Sequence, residues 1–171
     1  MLIQRFVDAW MTLPDLVLLI VVVSIVGPGE GQIIIILGCL YGIAGSRIIR
    51  GSTIAVRENM YTHAAQSMGA STLHVLWFHV LPNVMPVVIV LFTTRVGAVI
   101  LAEAGLSFLG LGIPPPVPTW GSMLSGGGRT YMYLGPWLAV APGLALTVVV
   151  YSINVYGDAL RDMLDPRMRG R

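Results

Sequence analysis

Residues Leu81–Ala102 read LPNVMPVVIVLFTTRVGAVILA, an almost unbroken apolar run that carries Arg95 as its only charge. A helix that crosses a bilayer needs about 20 consecutive apolar residues, and this run is long enough. Although β-branched residues are abundant, the run is continuous rather than alternating, so it is not typical of a membrane β-barrel strand. Because an α-helix satisfies its own backbone polar groups in lipid, we predict a transmembrane helix here.

The composition of the whole chain supports this interpretation. Of its 171 residues, 56% are hydrophobic and only 11% are charged, and the mean hydropathy is +0.82. In a soluble domain about a quarter of the residues are charged. The low charged fraction of this chain therefore excludes a soluble globule of this size. Every basic residue other than His is Arg. Without Lys, the chain lacks the residue that a P-loop uses to reach the nucleotide phosphates.

Three further apolar runs flank the first one: Leu16–Val26, Ile33–Ile49 and Trp137–Tyr156. We therefore predict an all-α, polytopic membrane helical bundle with about four transmembrane helices, forming a single domain over residues 1–171. The run Leu16–Val26 is short for a bilayer. We expect it either to recruit part of residues 6–12 or to pack inside the bundle.

The arginines orient these helices relative to the membrane. Eight of the ten lie before the first run, at or after the end of the second, or after the fourth. Because positive residues concentrate in cytoplasmic segments, we predict that both termini and the loop over residues 50–82 are cytoplasmic, and that the loop over residues 106–135 is extracytoplasmic. The eight are Arg5, Arg47, Arg50, Arg57, Arg161, Arg167, Arg169 and Arg171.

The predicted outer loop is rich in Pro, Gly and aromatic residues, yet it remains fairly apolar. One interpretation is a structured cap or re-entrant segment, with aromatic side chains at the level of the lipid headgroups. An ordinary connecting loop explains the composition equally well. The aromatic residues concerned are Trp120, Tyr131, Tyr133 and Trp137.

The predicted inner loop contains two helical patterns separated by Gly69. In each pattern four apolar residues recur at i, i+3, i+4 and i+7, which is typical of one face of a helix. Gly69 is suited to a left-handed cap, and Ser71 or Thr72 to an N-cap. We expect Leu81-Pro82 to end the second helix or to kink its entry into the membrane. The two sets are Tyr61, Ala64, Ala65 and Met68, then Leu73, Leu76, Trp77 and Val80.

Such short helices are marginal in water and need a surface to pack against. That surface is a groove on a partner protein, the membrane surface, or the rest of the bundle, and the pattern alone leaves all three open. Ala64 and Ala65 give the first helix a low profile that permits close approach to a partner.

The inner loop resembles the EAA loop of binding-protein-dependent ABC transporter permeases, E-A-A-x3-G-x9-I-x-L-P. The chain reads HAA over residues 63–65, then Gly69 after three residues, and HVLP over residues 79–82 after nine more. The segments HVLPN, AEAGLSFLGLGIPPPVPTWGSML and GDALRDMLDPRMR extend the resemblance over essentially the whole chain. Together they resemble the dipeptide, oligopeptide and nickel group of these permeases, the DppC/OppC-like half.

The resemblance implies the permease core of a type I ABC importer (MetI-like), in which a docking helix sits in a cleft of a cytoplasmic ATPase and transmits its closure to the membrane helices. His63 replaces the Glu of the motif and His79 replaces the Ile. The Glu of the motif is charged, whereas His is mostly neutral near pH 7. The motif therefore does not predict whether His63 makes a charged contact in this chain. The residues carried over for coupling are His63, Ala64, Ala65, Gly69, Leu81 and Pro82.

The same resemblance implies a multi-pass protein of the plasma (inner) membrane with several partners. These are a second permease subunit (DppB/OppB-like), two ABC ATPase subunits, an extracytoplasmic solute-binding protein and membrane lipid; no nucleic acid and no cofactor are expected. The implied cargo is a dipeptide or oligopeptide, with nickel as an alternative. Relatives carry two further spans before the segment that matches Met1 onward, so we expect this chain to be part of such a permease or a shortened one.

Two charged residues lie within or beside the run at residues 81–102. Arg95 and Glu103 are eight residues apart, a rise of about 12 Å on a helix. Because charges in a membrane usually face a bundle interior or an aqueous cavity, one interpretation is that both line a translocation path. The alternative is structural, with Glu103 at the outer interface and Arg95 paired with another helix.

An intramembrane enzyme and a structural membrane protein without transport are the alternative functions. His74 and His79 are five residues apart instead of in the H-E-x-x-H spacing, so they do not share a helix face with a Glu between them. Ser125 is a candidate nucleophile of an intramembrane serine protease. It lies in the predicted outer loop, whereas all three histidines lie in the inner one, so no His could act as its base. We therefore predict a transport subunit that is not an enzyme, with no catalytic residue and no metal site.

Overall fold

The computed structural model describes residues 2–131 and 133–164, and their secondary structure is helical throughout. The predicted all-α fold is confirmed. Arg167, Arg169 and Arg171, which support the predicted orientation, lie outside the described residues. In chain order the elements are α1 (Leu2–Trp10), α2 (Asp15–Val26), α3 (Glu30–Arg57), α4 (Met60–Ser67), α5 (Thr72–Val75), a π-helical segment (Leu76–Val80), α6 (Leu81–Phe108), α7 (Trp120–Ser125), α8 (Gly127–Tyr131) and α9 (Trp137–Leu164).

Three of the described helices are long and apolar enough to cross a membrane: α3, α9 and the continuous helix Thr72–Phe108. The fourth predicted span differs from these. α2 has 12 residues, about 18 Å of helix, which is short of the roughly 30 Å hydrocarbon core. Residues 4–10 do not extend it in a straight line, because their helix axis is bent by 93° from that of α2. By length and composition, the described residues therefore contain three candidate spans, or four if the bent pair counts as one.

The long helix α6 lies at the centre of the packing, in contact with α3, α7 and α9. Its contact with α9 is close because small residues meet there. A Cβ at Gly97 would lie 3.0 Å from Oδ1 of Asn154, and one at Gly157 would lie 3.3 Å from Oγ1 of Thr93. Small residues at helix contacts are the usual means by which membrane helices approach each other.

The main apolar core joins α2, α3 and the second half of α6. Because all three helices contribute aliphatic side chains to it, this core fixes α6 against the helices that precede it in the chain. Its buried members are Leu18, Leu19, Val23, Ile33, Leu37, Leu40, Ala102 and Leu106.

The segment after α6 forms a packed cap, which favours the first of the two interpretations left open above. Thr119 and Ser122 form a reciprocal capping box at the start of α7. α7 then packs against α6 so closely that a Cβ at Gly121 would lie 2.2 Å from the carbonyl oxygen of Ala104. The four predicted interfacial aromatic residues are exposed, as expected for side chains that contact lipid headgroups.

Candidate coupling loop and membrane groove

The first half of the inner loop forms α4, and its end has the geometry that the sequence predicts. Gly69 has a φ of +84°, in the left-handed region. The Ala70 N–H donates to the Ala65 carbonyl (3.1 Å) and the Gly69 N–H to the Gln66 carbonyl (2.9 Å). This pair of bonds is a Schellman motif. The predicted cap at Ser71 is also confirmed, since its hydroxyl accepts a hydrogen bond from the His74 N–H (3.3 Å).

Within the described chain, the loop buries small residues of α4, whereas most residues of the two predicted apolar faces are exposed. α4 buries Thr62 and Ala65, and Ala65 packs in a small core with Val75, Val80 and Val84. The Thr62 hydroxyl donates to the Val56 carbonyl at the end of α3 (3.2 Å). The small residues are buried because α4 lies close to the helices beside it, which leaves no room for longer side chains. The predicted residues left exposed are Tyr61, Ala64, Met68, Leu73, Leu76 and Trp77.

The exposed side of α4 is therefore available to another surface. Met60, His63, Ala64 and Ser67 are all exposed, and at 100° per residue they lie opposite the buried face of Thr62 and Ala65. Ala64 and Ser67 are small, so the backbone of α4 is accessible between the larger side chains. Of the predicted coupling residues, His63 and Ala64 face outward and Ala65 faces inward.

The second predicted helix is not separate from the membrane helix. Of the two alternatives for Leu81-Pro82, a helix end and a kink, the helix end is therefore wrong. The helix runs without a break from Thr72 to Phe108. A proline inside an α-helix removes one hydrogen bond and clashes with the carbonyl four residues earlier. Here the π-helical turn Leu76–Val80 directly precedes Pro82 and widens the backbone at that point. The Asn83 side chain adds a hydrogen bond to the His79 carbonyl (2.7 Å).

The π-helical turn also changes the relation between two histidines. In a π-helix, residues five apart take the place of residues four apart in an α-helix. The ring centroids of His74 and His79 are accordingly 6.1 Å apart, and the Tyr61 ring of α4 lies 6.3 Å from that of His79. Within the described residues, no group of three or more His, Cys, Asp or Glu side chains is placed to hold a metal ion.

Arg95 and Glu103, the two predicted pathway residues, lie away from the inner loop and line one groove between α3 and α6. The groove has a volume of about 810 Å³, and its wall is almost entirely apolar, with Ile33, Leu37 and Val99 among its members. The Arg95 guanidinium lies over the Tyr41 ring of α3, 5.6 Å from its centroid. This distance is within the range of a cation–π contact.

Two residues of the groove region, Ser107 and Tyr41, are not identified from the sequence. Ser107, which is buried, donates its hydroxyl to Glu103 Oε1 (2.5 Å). The spacing of four residues on a helix is a usable signal for this pair. Tyr41 lies on another helix, and only the packing of α3 on α6 brings it to Arg95.

These features define a class of protein, an all-helical chain with three or four candidate membrane spans, an apolar groove that contains Arg95 and Glu103, and a short helix exposed at one end. The chain belongs to the family described as "Binding-protein-dependent transport system inner membrane component", whose model matches residues 1–170. Membership confirms the resemblance to binding-protein-dependent permeases and the predicted location in the inner membrane.

Individual relatives agree with this assignment. The chain is 40% identical over 169 residues, 99% of its length, to the "Glutathione transport system permease protein GsiD" of Shigella flexneri serotype 5b and of Escherichia coli O6:K15:H31. It is 39% identical over 170 residues to the "Probable peptide ABC transporter permease protein y4tQ" of Sinorhizobium fredii. The chain spans about half the length of these relatives, 55% of the first two and 58% of the third.

Proposed function

We propose that this chain is a transmembrane permease subunit of an ATP-driven importer for peptides. It would form the pathway with a second permease subunit, receive cargo from an extracytoplasmic solute-binding protein, and respond to two ATPase subunits at its inner side. The names of its relatives, which mention glutathione and peptides, support a peptide as cargo over nickel.

The continuity between the inner loop and the groove carries this proposal. α4 packs through Ala65 on the helix Thr72–Phe108, and the same helix carries Arg95 and Glu103. A force applied to α4 is therefore transmitted along one rigid element to the wall of the groove. The exposed face with His63 and Ala64 is the surface on which an ATPase would act, in the helix-in-groove manner.

The test of this proposal is a substitution that blocks the exposed face of α4 and leaves its buried face intact. The complex is co-expressed with the second permease, the ATPases and the binding protein. Ala64→Trp should leave the thermal unfolding temperature of the complex or free permease within a few degrees of wild type, because Ala64 is exposed. It should abolish ATPase co-purification and peptide-stimulated ATP hydrolysis, since a bulky ring prevents close approach.

A matched control places the same ring at the other end of the molecule. Val117 is exposed in the segment between α6 and α7, so Val117→Trp should retain ATPase co-purification and basal ATP hydrolysis. Unchanged co-purification and stimulation in Ala64→Trp would contradict the proposal. Equal losses in both variants would indicate a general folding defect, which the unfolding temperature would also report, and would remove the support for a docking face.

A further inference from the structure

The groove between α3 and α6 presents opposite charges inside an apolar wall. Arg95 and Glu103 both belong to α6, and both line the groove together with aliphatic residues of α3. Among the described residues, the one salt bridge joins Arg47 to Asp8 (3.4 Å) on a different part of the surface. Arg95 and Glu103 therefore do not neutralise each other, and each offers its charge to the groove.

The two charged groups are held by different neighbours. The Arg95 guanidinium is positioned by the face of the Tyr41 ring, which leaves its N–H donors available. One carboxylate oxygen of Glu103 accepts from Ser107, and its other oxygen is available to a donor in the groove. A third charge, Glu30, also lines the groove, but it is exposed and has no hydrogen-bonding side chain to fix it in the described structure.

The spacing of the two charged residues along α6 indicates the length of a matching ligand. Eight residues of α-helix rise about 12 Å, whereas a fully extended peptide spans about 3.3–3.6 Å per residue. A peptide of about three residues therefore matches the rise between the two backbone positions from which these side chains extend. Guanidinium groups bind carboxylates through two parallel hydrogen bonds, and a carboxylate accepts charge-assisted bonds from an ammonium group.

We propose that the groove binds short zwitterionic peptides lengthwise, with the peptide carboxylate at Arg95 and its α-ammonium at Glu103. The apolar wall then contacts the peptide side chains without selecting among them. This inference rests on the proposed import function and adds to it a second point of selection, after the binding protein, that reads only the two charged ends.

The test measures occupancy of the groove directly, by protection of a thiol in it. Cys39, the only cysteine of the chain, is replaced by Ser, and Ile100→Cys introduces a thiol in the groove wall between the two charges. Alkylation is followed in the assembled transporter in nanodiscs, with trialanine, its C-terminal amide and its N-acetyl form as probes. Trialanine should slow alkylation, and each blocked form should need an about tenfold higher concentration for half-protection, the ratio that one lost charge-assisted bond gives.

Charge variants assign each end of the peptide. Arg95→Gln should remove the effect of amidation and keep that of acetylation, and Glu103→Gln should do the converse. Arg95→Lys should keep the amidation effect, which separates loss of charge from loss of packing on Tyr41. Glu30→Gln is the matched acidic control and should change neither effect.

Other outcomes would overturn the inference. A thiol that is not alkylated even without peptide would mean that a segment of the partner permease or lipid fills the groove. Absence of protection by any peptide, equal weakening of all probes in both charge variants, or loss of the acetylation effect in Glu30→Gln would each refute the assignment. The crossed pattern without ATP-driven uptake would instead refute the proposed function and leave the peptide site standing.

Discussion

The two ends of the helix Thr72–Phe108 have very different surroundings. At its C-terminal end, the predicted outer end, Leu106 is fully buried and Ser107 is 3% exposed, between α2, α3 and α7. At its N-terminal end, the predicted inner end, Leu73, Trp77 and Phe78 are 61–68% exposed, and in the segment Thr72–Val80 only Val75 and Val80 are buried, beneath Ala65 of α4. One helix is thus fixed tightly at one end and held lightly at the other.

This difference in packing determines where such a helix can move in response to a force. Tightly packed contacts resist displacement because moving them opens voids or creates clashes. A contact made through small side chains such as Ala65 buries little area, so moving it is less costly. A push on α4 should therefore rotate the helix about its outer end, and the groove with Arg95 lies between the two ends.

The largest expected effect comes from adding one methyl group at the fixed end. In Gly121→Ala, the new Cβ would lie 2.2 Å from the carbonyl oxygen of Ala104, a backbone atom that cannot move aside as a flexible side chain would. We expect destabilisation by about 3 kcal/mol, at the upper end of overpacking costs. The unfolding transition of the purified protein in detergent measures this loss.

The control for this substitution is another glycine of the same region. Gly105 lies inside α6 with nothing near a Cβ, so Gly105→Ala should stabilise the protein by up to about 1 kcal/mol through helix propensity. Similar stabilities of Gly121→Ala and wild type would show that the predicted outer end is not rigid.

A smaller effect is expected at the inner end. Ala65 is 5% exposed in the core with Val75 and Val80, so Ala65→Leu should cost about 2 kcal/mol by overpacking. Ala64 is adjacent but exposed, and Ala64→Leu should leave the unfolding transition unchanged. The pair of unfolding curves checks the orientation of α4, and equal destabilisation would show that Ala64 is also packed.

Local sequence rules predict several of the structural elements at the two ends of this helix. Continuous apolar runs predict the membrane helices, and Gly69 and Ser71 predict the caps of α4 and α5, because these signals depend only on nearby residues. The apolar periodicity does not identify the face of α4 that packs within the described chain. That face is chosen by the closeness of neighbouring helices, which favours Thr62 and Ala65 over Tyr61 and Met68.

Other features depend on contacts that no local rule contains. The bend between α1 and α2 and the approach of Tyr41 to Arg95 require the packed bundle. The π-helical turn lies just before Pro82, whereas a proline is normally taken as the end of a helix. For the groove, the sequence indicates its charges, and the packing of α3 on α6 supplies its shape.

A third prediction concerns the turn that joins α4 to the long helix. Gly69 has a φ of +84° but open space around a Cβ, so Gly69→Ala is strained by backbone conformation alone. We expect a cost of about 1 kcal/mol. The measurement is amide hydrogen exchange, which the substitution should accelerate in α4 more than in α9, relative to the wild-type protein. Gly51→Ala, in α3 with open space and no positive φ, should not raise the exchange of α4. Unchanged exchange in Gly69→Ala would show that the turn adopts another conformation.

The smallest predicted effect lies at the fixed end and separates its packing from its polar contact. Ser107→Ala removes the hydrogen bond to Glu103 but keeps the Cβ, so the packing around α7 is retained. Hydrogen bonds inside membrane proteins contribute about 0.6 kcal/mol on average, and we expect a loss of that size in the unfolding transition. Ser24→Ala is the control, because the Ser24 hydroxyl is exposed and donates to the Ile20 carbonyl within its own helix. A loss in Ser107→Ala as large as that in Gly121→Ala would mean that the polar contact, rather than close packing, holds the outer end, and the pivot would then depend on the charge of Glu103.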